Sequence, residues 1–424
     1  MDFQDFTLIA VGILAFALVS ARIAGWAVTM PMAFVTLGAV TDAVGLVSLE
    51  VETEGVALIG EITLAVILFG DAVRIDLGAL RRELGLPVRL LSIGLPLTIV
   101  VATIAVAVLV PAISFWEAAL VGAILTPTDA ALGQAVVEDQ SVPQRVRQGL
   151  NVESGLNDGM VVPVVALFTA FSIGESDSDL GFWVAFVGEQ IGLGTVIGAA
   201  AGAGGGWLLS HAMDRGMVEG IYAQLGTLAI GFGAFAAAVA AGANGFIAAF
   251  VAGLSFGAVM GMERADHLDE YTEDTGRLLA MVAFFLFGNL FVNDAISATT
   301  VAIIICSVAT LTVGRMLPVA LAMIGMGQNW RTTLFVGWFG PRGLASILFG
   351  LLLLEEALPG AEELFAIIAW TVVVSVFAHG LTAARGAAAY GHWYGALSDD
   401  HRDAMPETMP VVAHRARWAA DEPA

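Results

Sequence analysis

The sequence predicts an all-α polytopic membrane protein with about thirteen transmembrane helices. Its 424 residues are 58% hydrophobic and only 13% charged, a composition that soluble domains with a solvated surface do not reach. A spanning helix needs roughly 20 apolar residues, and such segments follow one another along almost the whole chain. Backbone groups in lipid must pair internally, and the sequence lacks the alternating segments of a β-barrel, so the spans are predicted to be helices.

The candidate spans give the predicted order of elements. They lie near residues 5–24, 27–46, 55–73, 89–110, 116–136, 151–172, 183–209, 221–241, 245–262, 278–293, 298–324, 332–354 and 364–386. Asp2 and Asp5 stand where a signal peptide would carry positive charge, which predicts a retained first helix. The net charge of −22 argues against a basic nucleic-acid-binding face.

Loop charges predict the orientation of these spans, because cytoplasmic loops hold the excess of arginine. Every second loop carries arginine: Arg22; Arg74, Arg81, Arg82 and Arg89; Arg145 and Arg147; Arg215; Arg264 and Arg277; Arg331; Arg385. The other loops are acidic, through Glu50, Glu52 and Glu54; Glu175, Asp177 and Asp179; Asp294; and Glu355, Glu356, Glu362 and Glu363. The alternation predicts an outside N-terminus, a cytoplasmic C-terminus and an odd number of spans. Residues 389–424 are predicted to form a short, partly disordered cytoplasmic tail.

Polar residues inside the spans are candidate functional residues, because ionisable groups in lipid are costly unless paired or wetted. The fifth span carries the run Thr-Pro-Thr-Asp at 126–129, where Pro127 removes a backbone donor and so releases carbonyl groups from helical bonding. Asp71, near the cytoplasmic end of the third span, is either part of an ion path or a solvated interfacial acid. His379 is expected to form a hydrogen bond between helices.

The sixth span opens with NVESGLNDGMVVPVV, whose helical spacing puts Ser154 and Asp158 on one face. Asp158 is predicted to lie on an ion or proton route, the alternative being a neutralised carboxylate that fixes packing. Glu153 is expected to form a buried structural ion pair with Arg342 of the twelfth span. Asn157 is expected to be a hydrogen-bonding scaffold.

Two spans share an interruption, at 126–129 in the fifth and at Gly340-Pro341-Arg342-Gly343 in the twelfth. Interrupted helices at corresponding places indicate inverted repeats, here two sets of six spans joined by one linking span. The two broken helices, near 116–136 and 332–354, are predicted to cross in the membrane. Asp129 and Arg342 have the charges needed to neutralise half-helix ends there.

At these residues the chain resembles the monovalent cation/proton antiporter family, in the branch of NhaP-type prokaryotic antiporters and eukaryotic sodium/proton exchangers. The motifs that carry the resemblance are LFGDA (68–72), LTPTDAAL (125–132), NVESGLNDG (151–159), GPRGLAS (340–346) and HGLTA (379–383). The combination is specific, and it covers nearly all of the chain.

The resemblance implies a set of roles. The cation and proton site would consist of Thr128, Asp129, Ser154 and Asp158, with Asp71 as a looser match; Glu153 and Arg342 would form the stabilising ion pair; and Asn157, Pro127 and Pro341 would be scaffold residues. It also implies a homodimer in the cell membrane whose transmembrane domain, 1–388, needs no cofactor. Within that domain it implies a core bundle (89–172 and 298–388) moving against a dimerisation bundle (5–76 and 221–293), with a linking helix at 183–209.

The function that follows is exchange of Na+, or else Li+ or K+, for H+. Burial disfavours the charged form of a carboxylate and a bound cation restores it, so proton and cation are expected to exclude each other at Asp158. The pair Asn157-Asp158 resembles the electroneutral branch of the family. The alternatives are a K+/H+ antiporter or an organic-solute transporter on the same fold. A channel is disfavoured by the broken helices, and an intramembrane hydrolase by the lack of an HExxH motif.

Overall fold

The computed structural model describes residues 3–23, 28–46, 53–75, 78, 85–173, 180–355, 360–398, 400, 402 and 405–408. Across these residues all regular secondary structure is helical, which confirms the predicted all-α class. The acidic loop residues at 50, 52, 175, 177, 179 and 356, together with Arg81, Arg82 and tail residues 409–424, lie outside the described part of the chain.

The helices follow the predicted order. Their bounds are α1 Phe3–Ile23, α2 Met30–Ala43, α3 Thr53–Val73, α4 Gly85–Leu109, α5 Phe115–Ile124, α6 Ala130–Val137, α7 Gln144–Ser172, α8 Leu180–Asp214, α9 Gly220–Ala240, α10 Gly245–Met260, α11 Met262–Ser297, α12 Val301–Leu311, α13 Val313–Ala322, α14 Trp330–Trp338, α15 Leu344–Glu355 and α16 Ala361–Gly395. Every candidate span lies on one of these helices or on a consecutive pair of them.

The described residues include eight helical stretches that are long and apolar enough to cross a membrane, with shorter apolar helices between them. The chain is therefore a multi-span membrane protein, as predicted. Two of the predicted spans are split in the predicted way, into α5 and α6 and into α14 and α15. The number of crossings stays a prediction.

Two helices extend well beyond their predicted bounds. The span predicted at 278–293 is the end of α11, which begins at Met262. The hydrophobic pattern misses its first half because that half is charged, and its charges pair along the helix surface, as Arg277 does with Glu273 one turn earlier. Helix α16 likewise runs to Gly395, past the predicted end of the transmembrane domain at 388.

Part of the predicted tail, at Pro406 and Glu407, is docked on the helices. Glu407 is buried, and its carboxylate accepts hydrogen bonds from the Asn329 backbone N–H at 2.8 Å and the Thr332 hydroxyl at 2.7 Å. Arg145 at the start of α7 donates to the Pro406 carbonyl. The bond from the Asn329 N–H satisfies a backbone donor at the N-terminus of α14, where such donors have no partner within the helix.

Small residues set the closest helix contacts, as in α8 against α10. A Cβ on Gly194 would lie 2.7 Å from the Asn244 carbonyl oxygen, and a Cβ on Gly202 would overlap the Ala252 backbone. Backbone-to-backbone contact of this kind is available only to glycine. Gly194 and Gly202 therefore permit the close approach of α8 to α10 at this face.

The arginine-rich loops gather at one end of the molecule. Arg74 after α3 binds Glu273 on α11, and Arg264 binds Asp214 at the end of α8 at 3.2 Å. Arg89 donates to the carbonyl of Ile324 after α13. Contacts between loops that follow the third, seventh, ninth and eleventh predicted spans agree with the predicted alternation of loop sides.

Candidate cation site at the crossing of two interrupted helices

The first interruption separates α5 from α6 at residues 126–129. Pro127 lacks an N–H, and the Thr126 hydroxyl donates to the Gly122 carbonyl at 2.7 Å, so a side chain takes over a bond that backbone would otherwise make. The second interruption, 340–343, separates α14 from α15. It contains Pro341, which likewise lacks an N–H for helical bonding. Both segments are buried inside the protein, where non-helical backbone is tolerated at membrane depth.

The two interruptions are bonded to each other, which confirms the predicted crossing. The Asp129 N–H donates to the Pro341 carbonyl at 2.8 Å, and the Ser346 hydroxyl donates to the Ile124 carbonyl at 2.9 Å. The second bond satisfies a carbonyl at the C-terminal end of α5. Each broken helix therefore supplies the partners that the other one lacks.

Asp129 caps the N-termini of two half-helices at once. One carboxylate oxygen accepts the Leu132 N–H in α6 at 3.3 Å, and the other accepts the Leu344 N–H at the start of α15 at 2.8 Å. The negative charge lies against two positive helix ends, as the sequence predicted. Gly343 makes the approach possible, because a Cβ there would overlap the Asp129 carboxylate.

Arg342 serves the opposite helix end. It is 1% exposed, its guanidinium donates to the Gly340 carbonyl at 2.6 Å, and its backbone N–H donates to the Ser375 hydroxyl at 2.6 Å. The charge thus lies at the C-terminal end of α14, in agreement with its predicted sign. His379 on α16 contacts the Trp338 carbonyl at 2.9 Å, which is the expected bond between helices.

Helix α7 places the sixth-span residues beside the first interruption. The Thr128 hydroxyl lies 2.8 Å from the Ser154 hydroxyl, and the Asn157 amide donates to the Thr128 hydroxyl oxygen at 2.8 Å. Asn157 therefore orients Thr128, as expected of a scaffold residue. The glycines of NVESGLNDG let α7 approach α10, since a Cβ on Gly155 would overlap the Phe250 ring.

Asp158 is the charged group at the centre of this arrangement. It lies one turn after Ser154 and is 2% exposed, and its Oδ1 atom has no hydrogen-bond partner among the residues that the structure describes. The neighbouring charges that act on it are those of Asp129 and Asp71, both acidic. A buried carboxylate in acidic surroundings is stabilised only by a proton or a cation.

The expected partner of Glu153 is wrong. Arg315 on α13, 2% exposed, donates to Glu153 through both terminal guanidinium nitrogens, with Nη2 to Oε2 at 2.7 Å. The Arg342 guanidinium donates to the Gly340 carbonyl instead. Arg342 follows the end of α14 by only a few residues, so its side chain reaches that helix end. Arg315 was missed, although a lone arginine in the apolar span 298–324 was a sufficient signal.

Asp71 lies between this site and a cavity of about 450 Å³. The cavity is walled on one side by α3 and α11 and on the other by α6, the start of α7 and Glu138. The arginines that line it, among them Arg147 and Arg277, belong to the arginine-rich end of the molecule. Asp71 and Asp129 are the acidic groups whose charges act on Asp158.

Residues 8–386 match the model of the family "Sodium/hydrogen exchanger, transmembrane", so the chain belongs to that family. It is 28% identical over 337 residues to the K(+)/H(+) antiporter NhaP2 of Shewanella sp. strain MR-4, covering 77% of this chain and 57% of the relative. It is 28% identical over 260 residues to the Na(+)/H(+) antiporter 2 of Zygosaccharomyces rouxii, covering 57% of this chain and 31% of the relative.

The fold is that of a solved antiporter. The structure superposes on the sodium proton antiporter MjNhaP1 of Methanocaldococcus jannaschii, solved at pH 8, with a TM-score of 0.70 and 17% identity, covering 90% of this chain and all of that one. The family and the fold predicted from the motifs are therefore confirmed. The chain spans just over half the length of the bacterial relative named above.

Proposed function

We propose that this protein exchanges a monovalent cation for a proton, with Asp158 carrying the one or the other. The observation that supports this most directly is the buried Asp158 carboxylate, which has an unpartnered oxygen and acidic neighbours. The Thr128 and Ser154 hydroxyls lie 2.8 Å apart, with Ser154 one turn before Asp158 on α7, and they offer neutral oxygens suited to a hard cation. Asp129 contributes negative charge to the site.

The exchange is electroneutral and one for one. The charge of Asp129 is balanced by the two helix ends that it caps, and Glu153 is balanced by Arg315. Asp158 is then the group whose charge must be satisfied in each loaded state. Since a single proton or a single monovalent cation does so, both loaded states carry the same total charge.

Na+ is the leading cation, and K+ is the alternative that the name of the Shewanella relative favours. We further propose a homodimer in the cell membrane with its N-terminus outside and its C-terminus in the cytoplasm. The arginine-rich end would face the cytoplasm. At this end Arg74, Arg89 and Arg264 each bind a neighbouring loop or helix end. The core bundle would move against the dimerisation bundle along the cavity wall between α3 and α7.

The test is a proteoliposome assay that follows internal pH with a fluorescent dye while NaCl, KCl and LiCl are added in turn, with the membrane potential clamped and then free. Cation-driven proton movement that is indifferent to potential is expected, and its size ranks the ions. Asp158→Asn should abolish it, whereas Asp294→Asn, at an exposed acid, should not. Normal exchange by Asp158→Asn would overturn the assignment. A response to an organic solute alone would favour the organic-solute transporter.

A further inference from the structure

A second group of polar side chains lies in the cavity wall, outside the Asp158 site. Asp269 and Thr272 are one turn apart on α11 and face Gly70 and Asp71 of α3. Asp269 is 0% exposed and Thr272 is 1% exposed, although both line the cavity. Polar groups buried this deeply are ordinarily hydrogen-bonded.

Three oxygen atoms of this group are unpartnered among the residues that the structure describes: Asp269 Oδ1, Thr272 Oγ1 and Asp71 Oδ2. Thr272 is informative, because a helical threonine normally donates to the carbonyl four residues earlier. Thr275, one turn further on the same helix, does so, with its hydroxyl 2.7 Å from the Tyr271 carbonyl. The Thr272 hydroxyl does not make that bond.

Gly70 places no side chain against Asp269 Oδ1. A Cβ at this position would lie 3.3 Å from Asp269 Oδ1 and 3.7 Å from the Thr272 methyl group. A side chain at position 70 would therefore crowd the group. Gly70 directly precedes Asp71. On this side the group is therefore bordered by the Gly70 backbone and the Asp71 carboxylate.

The surrounding charges favour a single positive ion. The residues around the cavity include four carboxylates (Asp71, Glu138, Asp269 and Glu273) and three guanidiniums (Arg74, Arg147 and Arg277), so one negative charge is in excess. Arg74 Nε donates to the other oxygen of Asp269, Oδ2, at 3.0 Å, and Arg74 Nη2 donates to Glu273. Arg147 is turned away, since it donates to the carbonyls of Val137 and Val142.

From this geometry we propose a second cation site, here called the vestibule site, formed by Asp269 Oδ1, Thr272 Oγ1 and Asp71 Oδ2. Its ligand is a monovalent cation that still carries part of its water shell. The inference rests on the proposed function, and it gives that function a resting place for the cation between the mouth of the cavity and Asp158. Arg74 fixes Asp269 so that one oxygen faces inward.

Thr272→Val separates a ligand role from a structural one. If the hydroxyl only fills space, its removal eliminates an unsatisfied buried donor and should leave folding unchanged or improved. If the hydroxyl is a cation ligand, binding weakens while folding does not suffer. Thr275→Val on the same helix is the matched control.

The experiment measures saturable binding of 22Na+ to the purified full chain carrying Asp158→Asn, which removes the inner site. We expect weak but saturable binding to remain, to fall about tenfold in affinity when Thr272→Val is added, and to stay unchanged when Thr275→Val is added. Thermal stability of each variant is recorded in parallel. In otherwise unaltered protein, Thr272→Val should raise the apparent KM for Na+ applied from the cavity side with little effect on maximal rate.

Two results would overturn the vestibule site: no saturable binding in the Asp158→Asn protein, or equal binding in the two threonine variants. Its failure is distinguishable from failure of the proposed function. If unaltered protein moves protons in response to a cation, exchange stands whatever the binding experiment shows. If it does not, exchange fails, and residual 22Na+ binding that depends on Thr272 would still support a cation site in the cavity.

Discussion

Removal of Arg315 should destabilise the protein more than removal of an exposed arginine. Its side chain is 3% exposed and that of Glu153 is 2% exposed, and the two are joined by two bonds. Leaving one partner of a buried ion pair without the other costs about 3–5 kcal/mol. By contrast, Arg264 and Asp214 are each more than half exposed, and such pairs contribute about 0–1 kcal/mol.

The assay is a double-mutant cycle read by thermal denaturation in detergent, with size-exclusion chromatography of fluorescent fusions. Arg315→Met and Glu153→Gln are measured singly and together, and Arg264→Met is the exposed control. A loss of about 3–5 kcal/mol corresponds to a lower melting temperature by about 5–10 °C, with the double variant recovering a large part of it. Arg264→Met should shift the melting temperature by less than about 2 °C.

A second cycle compares the two candidate partners of Glu153. The coupling between Glu153 and Arg315 should exceed that between Glu153 and Arg342, because the Arg342 guanidinium is bonded to the Gly340 carbonyl. Arg315 also lies against the crossing, where a Cβ on Gly340 would stand 3.0 Å from its Cζ atom. Independent, additive effects of Arg315→Met and Glu153→Gln would refute this reasoning.

The remaining predictions concern the crossing and its chemistry. Asp129→Asn should lower the melting temperature, because the amide nitrogen cannot accept one of the two backbone N–H groups that Asp129 binds. Asp158→Asn should abolish transport without lowering the melting temperature. A protein that is less stable with Asp158→Asn than with Asp129→Asn would contradict the assigned roles. Gly343→Ala should abolish transport and lower abundance because its Cβ overlaps the Asp129 carboxylate, and Gly133→Ala, with open space around it, should leave both unchanged. The apparent KM for the cation should rise about tenfold per pH unit on the acid side of the transport optimum at constant maximal rate, since one proton competes with one cation; a KM independent of pH would exclude a shared site.

The crossing was predictable because its signals are local. A proline beside polar residues in an apolar span breaks a helix wherever it occurs, so the interruptions at 126–129 and 340–343 follow from chain chemistry. The charges of Asp129 and Arg342 also suit local partners, since each binds a helix end within a few residues of itself. Asp129 in addition reaches Leu344 N–H across the crossing, a contact that sequence spacing alone does not contain.

Partners distant in sequence were less predictable. Glu153 had two buried arginines within reach of the sixth span, and only packing of α13 against the crossing selects Arg315. The sequence did not mark Thr272 as a candidate, because threonine is common in charged helical segments. That its hydroxyl lacks a hydrogen-bond partner is visible only in the three-dimensional structure. The docking of Glu407 within the predicted tail was not predictable, because it depends on a backbone N–H at the start of α14 that lies 78 residues earlier in the chain.

The central claim is that a cation and a proton exclude each other at Asp158, and proton release on cation binding tests it most directly. Purified protein in weakly buffered solution is titrated with NaCl or KCl on the acid side of its transport optimum, and released protons are counted against cations bound. About one proton per cation is expected for unaltered protein at cation concentrations too low to fill the weaker vestibule site, and none from the Asp158→Asn variant. Cation binding by the unaltered protein without proton release would contradict the account.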